Sequence, residues 1–465
     1  MRETWATSGV DLHLDLSAPG GRRAKLERAL REAIRTGRLA PGTRMPSSRA
    51  LAAELGLARG TVAAAYDQLI AEGYLTARTG SGTTVTDLSG LPPATPAPRP
   101  GPAGPRYDLR PGHPDVTTFP VAAWLRSTRR ALAAAPARAY GYGDPAGRIE
   151  LRTALAGYLG RVRGVLASPD RIVITTGYAQ ALALLATVAG RGARFAMEDP
   201  GLAYHREIVR RAGAEVAALD VDGRGAVTDK LDTMDVAAAV LTPAHQYPLG
   251  VTLHPARRHA AVRWAQRSGA LVIEDDYDGE FRYDRQPVGA MQQIAPEHVA
   301  YIGTASKTLG PALRLAWLVL PAKLVAPVVD AKRHTDRHSD TIGQLTLADL
   351  IDSHGYDRHI RTRRLHYRRR RDLLVARLAG LRRLTVEGVA AGLHALVRLP
   401  DRGPEERAVL DLAADHGLAL QGLGDHWHHP GDHPGGLIAG YGTPSEGSYP
   451  AALDILVRVL RAVDA

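Results

Sequence analysis

The chain has 465 residues, 45% of them hydrophobic, so it is long enough for two or more domains with buried cores. It contains no cysteine, which excludes disulfides and thiolate metal sites, and it shows neither an N-terminal apolar signal nor the ~20 consecutive apolar residues that span a bilayer. The formal net charge of +11 favours a polyanionic partner, although the many arginines, 48 Gly and 31 Pro are also typical of a GC-rich genome. We expect a soluble, cytoplasmic protein without a membrane partner.

The first predicted unit covers residues 1–85 and begins with an amphipathic helix. Leu26, Leu30 and Ile34 recur at helical spacing, and the helix is expected to end at Gly37.

Two short helices are predicted next, at about 47–55 and 59–72, with a tight turn between them at Gly56. Ser47 or Ser48 is the expected N-cap of the first. The stretch TARTGSGTTV that follows carries glycines between β-forming residues and predicts a hairpin wing.

This order suits a helix-turn-helix, in which the second short helix enters the major groove of double-stranded DNA. Residues 22–85 contain eleven basic and five acidic residues, so the charge is concentrated where the motif lies. The spacing of the helices alone leaves a three-helix packing module with a solvated basic face as an alternative. The residues predicted to contact operator DNA are Arg44, Ser47, Arg49, Arg59, Thr61, Arg78 and Ser81.

A linker is predicted over residues 86–106, which contain seven prolines and few large apolar side chains. Residues 107–465 then alternate apolar runs with segments of helical period. That pattern predicts an α/β domain with a mainly parallel sheet.

A strand, a turn and a helix are predicted in the stretch RIVITTGYAQALALLATV. The apolar run ends at Thr175, Gly177 turns the chain, and the backbone N–H groups of Tyr178 and Ala179 at the helix start could hold a phosphate. The signal is weak by itself, because any strand, turn and helix looks similar.

The stretch ALVIEDDYDGEF predicts a buried strand that becomes acidic at its carboxyl end, where open α/β sheets bind ligands. Side chains alternate along a strand, so Asp275 and Tyr277 are expected on the side of Ile273. Asp276 is the competitor of Asp275, and a solvated acidic loop is the alternative to a site.

A lysine, Lys307, follows the next predicted strand, Val299 to Thr304. A lone lysine usually extends to solvent. Here Ser306 and Arg314 accompany it, and a guanidinium beside an amine both grips a phosphate and lowers the amine pKa, which favours a Schiff-base nucleophile. Amine, phosphate cradle and carboxylate together are what pyridoxal 5'-phosphate (PLP) requires.

The motifs of both units resemble one family. Residues SSRALAAELGLARGTVAAAYDQLIAEGYL and RTGSG resemble the winged helix of GntR-type bacterial regulators. In the larger unit the matching stretches are YGYGDPAGRIELRTALAGYL, TTGYAQAL, MEDPGLAYHREI, LTPAHQYPLGVTL, VIEDDYDGEFRY and GTASKTLGPALRLAWLVLP. In this order they are similar to the fold type I, aspartate aminotransferase-like domain that is fused to a winged helix in MocR-type regulators.

The resemblance implies a PLP site and a homodimer with a head-to-tail arrangement. Lys307 would be the aldimine lysine, Asp275 would pair with the pyridinium nitrogen, and Tyr277 would approach the phenolic oxygen. The implied phosphate contacts are Tyr178, Ala179, Thr304 or Ser306, Arg314 and, from the neighbouring subunit, Tyr142. His245 would lie in the loop beneath the ring.

The chain departs from the family pattern at three places. Leu202 occupies the usual position of an aromatic residue that stacks on the cofactor, and Tyr204 is the available replacement. Tyr204 and Arg206 form a pair suited to stacking and to binding an effector carboxylate, with a surface helix as the alternative. The stretch HPGGLIAGYG lacks the arginine that transaminases of this fold use for the substrate carboxylate, which weakens the prediction of a standard transaminase.

Two biased tracts remain. The histidine-rich tract from Asp425 to His433 has irregular spacing in a Pro/Gly loop, so a mobile or ligand-facing loop is expected rather than a metal site. Seven arginines between residues 361 and 371 favour a solvated helix surface over a contact with DNA beside the operator.

Two functions fit the sequence. The first is a transcriptional regulator that binds operator DNA and senses PLP, or an amine or amino acid that condenses with it, through Lys307. The second is a PLP-dependent aminotransferase that carries a DNA-binding head.

Overall fold

The chain divides into two units, Met1–Pro102 and Ala103–Ala465, in a computed structural model. The structure describes Leu14, Leu16 and residues 19–78, 82–87, 105–283, 288–400 and 402–464. The division falls inside the predicted linker, residues 86–106, most of which lies outside the described residues. The predicted boundaries at 85 and 107 stay predictions.

The N-terminal unit consists of three helices followed by an antiparallel hairpin, as predicted. The elements are α1 (Arg22–Arg35), α2 (Ser48–Leu55), α3 (Arg59–Ala71), β1 (Leu75–Arg78) and β2 (Gly82–Val85). Ser47 is the N-cap of α2, because its hydroxyl accepts a hydrogen bond from the Ala50 N–H at 3.1 Å. Gly56 ends α2 with φ +63°, a left-handed conformation that favours glycine.

The helices of this unit enclose a small apolar core. Leu26 and Leu30, one helical turn apart on α1, pack with Leu51, Val62 and Leu69, and all five are buried. The apolar residues whose spacing predicted α1 therefore form the face that packs against the other two helices.

The larger unit is built on an eight-stranded sheet in the order β4-β11-β10-β9-β8-β5-β6-β7. Strands β4, β5, β6, β8, β9 and β10 run parallel, while β7 and β11 run antiparallel to them. This confirms the predicted mainly parallel α/β sheet. The strands are β4 (Ile172–Thr175), β5 (Arg194–Asp199), β6 (Glu215–Asp222), β7 (Gly225–Ala226), β8 (Ala238–Leu241), β9 (Leu271–Asp276), β10 (Val299–Thr304) and β11 (Ala316–Val319).

Helices cover both faces of the sheet, so its strands are apolar on both sides. On β4, Ile172 and Ile174 pack on one side with Trp317, whereas Val173 packs on the other side with Leu318. The helices are α4 (Val121–Ala134), α5 (Ile149–Arg163), α6 (Tyr178–Ala189), α7 (Ala203–Arg211), α8 (Pro255–Ser268), α9 (Ala322–Thr335) and α10 (Thr341–Asp352).

A smaller antiparallel sheet, in the order β12-β13-β16-β15, and three helices complete the larger unit. The elements are α11 (Gly355–Leu378), β12 (Thr385–Glu387), β13 (His394–Arg398), α12 (Glu406–Asp415), β14 (Leu418–Ala419), β15 (Gln421–Gly422), β16 (Gly436–Gly440) and α13 (Tyr449–Asp464). Strand β14 pairs in parallel with β3 (Tyr107–Asp108), so the chain that follows the linker joins this part of the domain.

The arginine tract lies on α11, and most of its side chains are exposed or half-buried. Arg370 is the exception, because its buried guanidinium lies 2.9 Å from Asp115 and also donates to the Pro444 carbonyl. The tract therefore contributes one buried ion pair, and Arg364 also donates to the Glu280 carbonyl at 2.8 Å. Its other side chains lie at the surface, exposed or half-buried. Among the residues that the structure describes, no helix has both the length and the apolar character that crossing a membrane requires.

Candidate functional site

A cavity of about 480 Å³ lies where the carboxyl ends of the parallel strands meet the start of α6. The residues predicted for the cofactor and effector line this one cavity, with the exceptions of Tyr142 and His245. Those that line it are Tyr178, Ala179, Tyr204, Arg206, Asp275, Tyr277, Thr304, Ser306, Lys307 and Arg314. The residues predicted for one ligand site therefore share one cavity, and their roles in it stay predictions.

One part of the cavity offers donors for an anion. Helix α6 begins at Tyr178 directly after Gly177, whose φ of +125° suits glycine. The Arg314 guanidinium lies against Gly177, so close that a Cβ there would stand 2.8 Å from Nη2. Thr304 and Ser306 add hydroxyl groups 2.9 Å apart. Helix N–H groups, hydroxyls and a guanidinium together are the donors that a phosphate monoester requires.

The two neighbouring aspartates of β9 point to opposite sides. Asp275 lines the cavity, is only 4% exposed and has an Oδ1 atom without a hydrogen-bond partner among the described residues. Burial raises the pKa of Asp275 well above its usual range, the neighbouring Tyr178 hydroxyl opposes the rise, and nearby carboxylates add to it. Asp276 instead accepts two bonds from Arg163, at 2.6 and 2.9 Å, and one from the Tyr301 hydroxyl. The alternation argument that favoured Asp275 over Asp276 for the cavity is confirmed.

Lys307 follows β10 and places its ammonium in the cavity, where Nζ donates a hydrogen bond to the Gly112 carbonyl. Burial lowers the pKa of Lys307, while the charges of Asp278 and Asp275 oppose that change. A lowered pKa leaves more of the amine neutral near neutral pH, which is the form that attacks a carbonyl carbon.

The hydroxyl of Tyr277 contacts a buried histidine–aspartate pair, His245 and Asp278. Nδ1 of His245 lies 2.8 Å from Oδ2 of Asp278 and 3.2 Å from the Tyr277 hydroxyl. His245 does not line the cavity, in contrast to its predicted place beneath the cofactor ring. It acts on the site through Tyr277, whose orientation it fixes.

The helix after the acidic turn of β5 brings an unpredicted imidazole into the cavity. His205 stacks on Tyr178 with ring centroids 4.3 Å apart, and its Nδ1 lies 3.9 Å from Asp275. Burial lowers the pKa of His205 to about 3, and the charges of Lys307 and Arg206 act in the same direction. Tyr204, the predicted stacking residue, lines the cavity but is 62% exposed. One signal could have found His205: it stands three residues after Leu202, on the same helical face.

Arg206 is buried, and its guanidinium is bonded to the protein. Nη1 donates to the carbonyls of Gly201 (2.8 Å) and His426 (2.9 Å), and Nη2 donates to the carbonyl of Trp427 (3.0 Å). These bonds fix the histidine-rich loop against α7. The predicted role of Arg206 in binding an effector carboxylate stays a prediction, and its contacts argue for a structural role instead.

The histidine-rich loop is tied to the cavity wall at several points. The N–H of His428 donates to Asp199 at 3.0 Å, and its Nε2 lies 3.2 Å from the Glu198 carbonyl. His433 stacks on Trp427 with centroids 4.2 Å apart. This loop is therefore packed against α7 and the end of β5. None of its described residues lines the cavity, so the predicted mobile or ligand-facing role stays a prediction.

Several further cavity residues were not predicted, among them Glu198, Tyr247 and His394. Burial raises the pKa of Glu198 to about 7, although Thr242 and Gln246 hydrogen bonds oppose the rise. Burial also lowers the pKa of His394 well below its usual range. Tyr247 shares the predicted loop with His245, whereas His394 arrives from the small sheet, and its sequence neighbourhood carries no signal.

Tyr142 lies apart from the cavity of its own chain. Its ring is 78% exposed and has the Arg337 guanidinium 3.7 Å from its centroid. An exposed aromatic ring held in place by a cation is compatible with a contact to another subunit. The crossing to a neighbouring site stays a prediction.

The N-terminal unit presents the predicted DNA contacts on the α2, α3 and wing segments. Arg49, Arg59 and Arg78 are exposed, Thr61 is half-buried, and Ser81 lies outside the described residues. The exposed Arg44 side chain lies against Gly82 at the start of β2. Ser47 is exposed too, but its oxygen serves α2 as the cap.

The residues of the cavity fit PLP. The unpartnered Oδ1 of the buried Asp275 suits a protonated ring nitrogen, the cradle around Gly177 suits the phosphate, and Lys307 supplies an amine of lowered pKa. These three features are separate requirements of one molecule. Their meeting in a single cavity argues against three unrelated structural roles.

Comparisons with known protein families match both units. The family described as "Aminotransferase class I and II" matches residues 108–422, and "Bacterial regulatory proteins, gntR family" matches residues 22–85.

Relatives of similar length share both units. The HTH-type pyridoxine biosynthesis transcriptional regulator PdxR of Corynebacterium glutamicum is 34% identical over 427 residues, covering 91% of this chain and 92% of the relative. The probable rhizopine catabolism regulatory protein MocR of Rhizobium meliloti is 31% identical over 453 residues, covering 92% and 91%. A kynurenine aminotransferase structure from Pyrococcus horikoshii superposes with a TM-score of 0.70 at 25% identity, over 76% of this chain and 90% of that chain.

Proposed function

This chain belongs to the MocR-type branch of the GntR regulators, and on that premise we propose that it holds PLP through Lys307 and reports the state of that site to operator DNA. The observation that carries the proposal is the cavity itself, in which Lys307, the unpartnered Asp275 and the cradle around Gly177 lie together. A chain that used its larger unit only as a scaffold would have no need for a buried carboxyl without a partner.

Each part of the cofactor has a residue to hold it. Lys307 would attach the aldehyde, Asp275 would accept a hydrogen bond from the ring nitrogen, and Tyr277 would serve the phenolic oxygen. The N–H groups of Tyr178 and Ala179 would bind the phosphate, with Thr304, Ser306 and Arg314 beside them. When bound, PLP supplies an electrophilic carbon that condenses with primary amines.

The surrounding residues prepare the site before the cofactor arrives. His245 and Asp278 orient Tyr277, and His205 packs against Tyr178 beside Asp275. Burial of Lys307 favours its neutral form, and burial of Asp275 makes a cationic partner favourable. A protonated ring nitrogen beside Asp275 would favour the carboxylate form that burial disfavours.

Sensing requires that the ligand state of the cavity favour one of two DNA-binding states. A useful switch needs a coupling free energy of ~1 to 3 kcal/mol between cavity and operator. We propose a homodimer with exchanged heads, in which Tyr142 enters the neighbouring cavity and two winged helices read two half-sites. The exposure of Tyr142 and its contact with Arg337 support this arrangement.

The cofactor part is tested by borohydride reduction of the full chain after saturation with PLP, followed by peptide mapping. The label is expected on Lys307 and is expected to vanish in Lys307→Ala. Lys323→Ala, which removes an exposed lysine of α9, serves as the matched control and should label normally. Labelling that ignores Lys307 would reject the proposal.

The DNA part is tested by operator binding as a function of salt. Arg59→Ala is expected to lose roughly 1 to 3 kcal/mol if the side chain reads a base edge, or to reduce the salt dependence if it contacts phosphate. Arg23→Ala, on the exposed side of α1 where Arg23 pairs with Glu27, is the control. Equal binding of Arg59→Ala and the natural protein at all salt concentrations would remove Arg59 from the interface.

A PLP-dependent aminotransferase with a DNA-binding head is the second candidate. The amine of lowered pKa at Lys307 favours it, because a neutral lysine can serve as the base that moves a proton on a bound substrate. Repeated turnover with an amino donor and a keto acid would establish this function. A single slow half-reaction would leave the regulator as the better account.

A further inference from the structure

We propose that the compound sensed in this cavity is a primary amine that carries no carboxylate and has an uncharged apolar or aromatic body. The inference rests on the proposed PLP attachment at Lys307, and it decides between the amine and amino-acid classes of effector. It follows from how the cavity uses its charged side chains.

The cavity has three permanently cationic or amine side chains among the described residues: Lys307, Arg314 and Arg206. Lys307 would be taken by the cofactor aldehyde, and Arg314 lies against Gly177 in the phosphate cradle. Arg206 uses Nη1 and Nη2 on three backbone carbonyls. Among the described residues that one chain contributes to the cavity, no guanidinium is therefore left to pair with an effector carboxylate.

The imidazoles of the cavity do not replace that missing cation. Burial lowers the pKa of His205 to about 3, that of His394 well below its usual range, and that of His113 as well. All three are neutral near pH 7. Nε2 of His394 has no hydrogen-bond partner among the described residues, so this ring can serve a neutral polar group.

A buried carboxyl group further disfavours an anion. Glu198 lines the cavity, is 7% exposed and takes no part in the proposed cofactor contacts. An effector carboxylate would lose its hydration beside it without gaining a charged partner, which is unfavourable. An amine without that group avoids the cost.

The remaining lining favours an apolar or aromatic body. Leu202, Tyr204, Tyr247 and Leu393 supply apolar and aromatic surface, while Gln421 and His394 supply neutral polar groups. A cavity of about 480 Å³ falls in the ~300–1,000 Å³ range of pockets for small ligands.

The covalent step needs no further reactant. As the carbon–nitrogen double bond to the effector forms, the one to Lys307 breaks. The two protons that the neutral effector amine gives up pass to Nζ of Lys307, which leaves as a neutral amine. The exchange uses neither water nor an oxidant.

The test is a matched pair of ligands that differ only in the carboxylate: 2-phenylethylamine and L-phenylalanine, with tyramine and L-tyrosine as a second pair. Each is titrated into the PLP-loaded full chain by calorimetry, and its effect on operator affinity is measured. We expect each amine to bind at least tenfold more tightly than its amino acid. A ratio below tenfold, or tighter binding of the amino acids, would overturn the inference.

A gain-of-function variant makes the test independent of the choice of ligand pair. Gln421 lines the cavity with its Oε1 3.4 Å from the Tyr247 hydroxyl, so Gln421→Arg would add a guanidinium there. We expect Gln421→Arg to shift the amine-to-amino-acid affinity ratio toward the amino acid by at least tenfold, and the uncharged Gln421→Met to leave the ratio unchanged. No shift in Gln421→Arg would mean that charge pairing does not set the preference.

The variant Arg206→Met tests whether the Arg206 guanidinium can leave its carbonyl partners and bind an effector carboxylate. If Arg206 only holds the histidine-rich loop, its loss should change the affinities of both ligands of a pair by the same factor. A selective loss of amino-acid binding would overturn the inference. Borohydride labelling distinguishes failure of this inference from failure of the proposed function. Label on Lys307 without amine binding would contradict only this inference. Absence of label would contradict the proposed function itself.

Discussion

Three consecutive acidic residues of β9 show that burial alone does not define the role of a carboxyl group. Glu274 accepts hydrogen bonds from the N–H groups of Met291 (2.8 Å) and Gln292 (2.9 Å), and Asp276 is paired with Arg163. Asp275 lies between them with Oδ1 unpartnered among the described residues. Two of the carboxyls are therefore bonded within the chain, whereas one oxygen of the third has no such partner and is available to a ligand.

Substitution of the two aspartates by asparagine should separate these roles. Asp276→Asn removes one partner of a buried ion pair and is expected to lower the free energy of unfolding by about 3 to 5 kcal/mol. Asp275→Asn should leave the apoprotein as stable or more stable, and should weaken PLP binding about tenfold or more, which is ~1.4 kcal/mol. Denaturant unfolding of the apoproteins and fluorescence titration with PLP measure the two quantities. Equal loss of stability in both variants would contradict this division.

His426 makes a pH-dependent contribution to stability. Burial lowers its pKa from 6.5 to about 4 in the folded chain. As pH falls below 6.5 the unfolded chain binds a proton that the folded chain does not bind, so stability is lost down to about pH 4 and is fully present above 6.5. Relative to His426→Asn, the natural protein should lose about 1.4 kcal/mol of unfolding free energy per pH unit in this window. Denaturant unfolding of both proteins at pH 7.5 and 5 measures the difference, and parallel pH profiles would contradict it.

At the residue scale, the sequence predicted the positions of side chains that a strand determines. Alternation placed Asp275 and Tyr277 in the cavity, and the position of Lys307 after β10 followed from the strand before it. The bonds of Arg206 were not predictable, because their acceptors at His426 and Trp427 stand about 220 residues away in the chain. The same holds for His394, which reaches the cavity from another sheet.

At the scale of elements, α6 lies between two glycines that share an unusual conformation. Gly177 before the helix has φ +125° and Gly190 after it has φ +97°. They differ in surroundings: a Cβ at Gly177 would stand 2.8 Å from the Arg314 guanidinium, whereas a Cβ at Gly190 would have nothing within 4 Å. The first glycine is therefore required by the site as well as by the turn.

This pair provides an internal control for the phosphate cradle. Gly177→Ala and Gly190→Ala should each cost about 1 to 3 kcal/mol of stability from backbone strain. Only Gly177→Ala should also weaken PLP binding, by at least about tenfold, because it displaces Arg314. Thermal unfolding and PLP titration of both variants test this. A cofactor defect in Gly190→Ala of equal size would show that strain, and not the cradle, is responsible.

Strand and helix positions could be predicted where composition changes sharply. β10 occupies the predicted Val299–Thr304, and α3 begins at the predicted Arg59. The small sheet was not predicted, because its strands β12 and β15 are only three and two residues long and carry no periodicity. The histidine-rich loop was identified only by composition, and its fixed position depends on carbonyl contacts to Arg206 that have no sequence signal.

At the scale of the whole molecule, the site is proposed to need two chains. Tyr142 is outside the cavity of its own chain, so its predicted phosphate contact requires a neighbour. Co-expression of a Tyr142→Ala chain with a Lys307→Ala chain should restore one complete cavity per mixed dimer. Neither homodimer should have one, since the first lacks Tyr142 at both sites and the second lacks Lys307.

Retention of PLP after gel filtration is the measurement, with the mixed dimer purified through two different tags. We expect tight retention at about one cofactor per mixed dimer and weak retention in the Tyr142→Ala homodimer. Equal retention by the Tyr142→Ala homodimer and the natural protein would show that each chain completes its own site.

The hydrogen bond from Lys307 to the Gly112 carbonyl has a mechanical consequence. Gly112 lies a few residues after the predicted linker. If Lys307 binds PLP as proposed, its nitrogen can no longer donate to this carbonyl as an ammonium. Loading of the cavity is therefore expected to free the chain at Gly112, and unloading is expected to restore the bond.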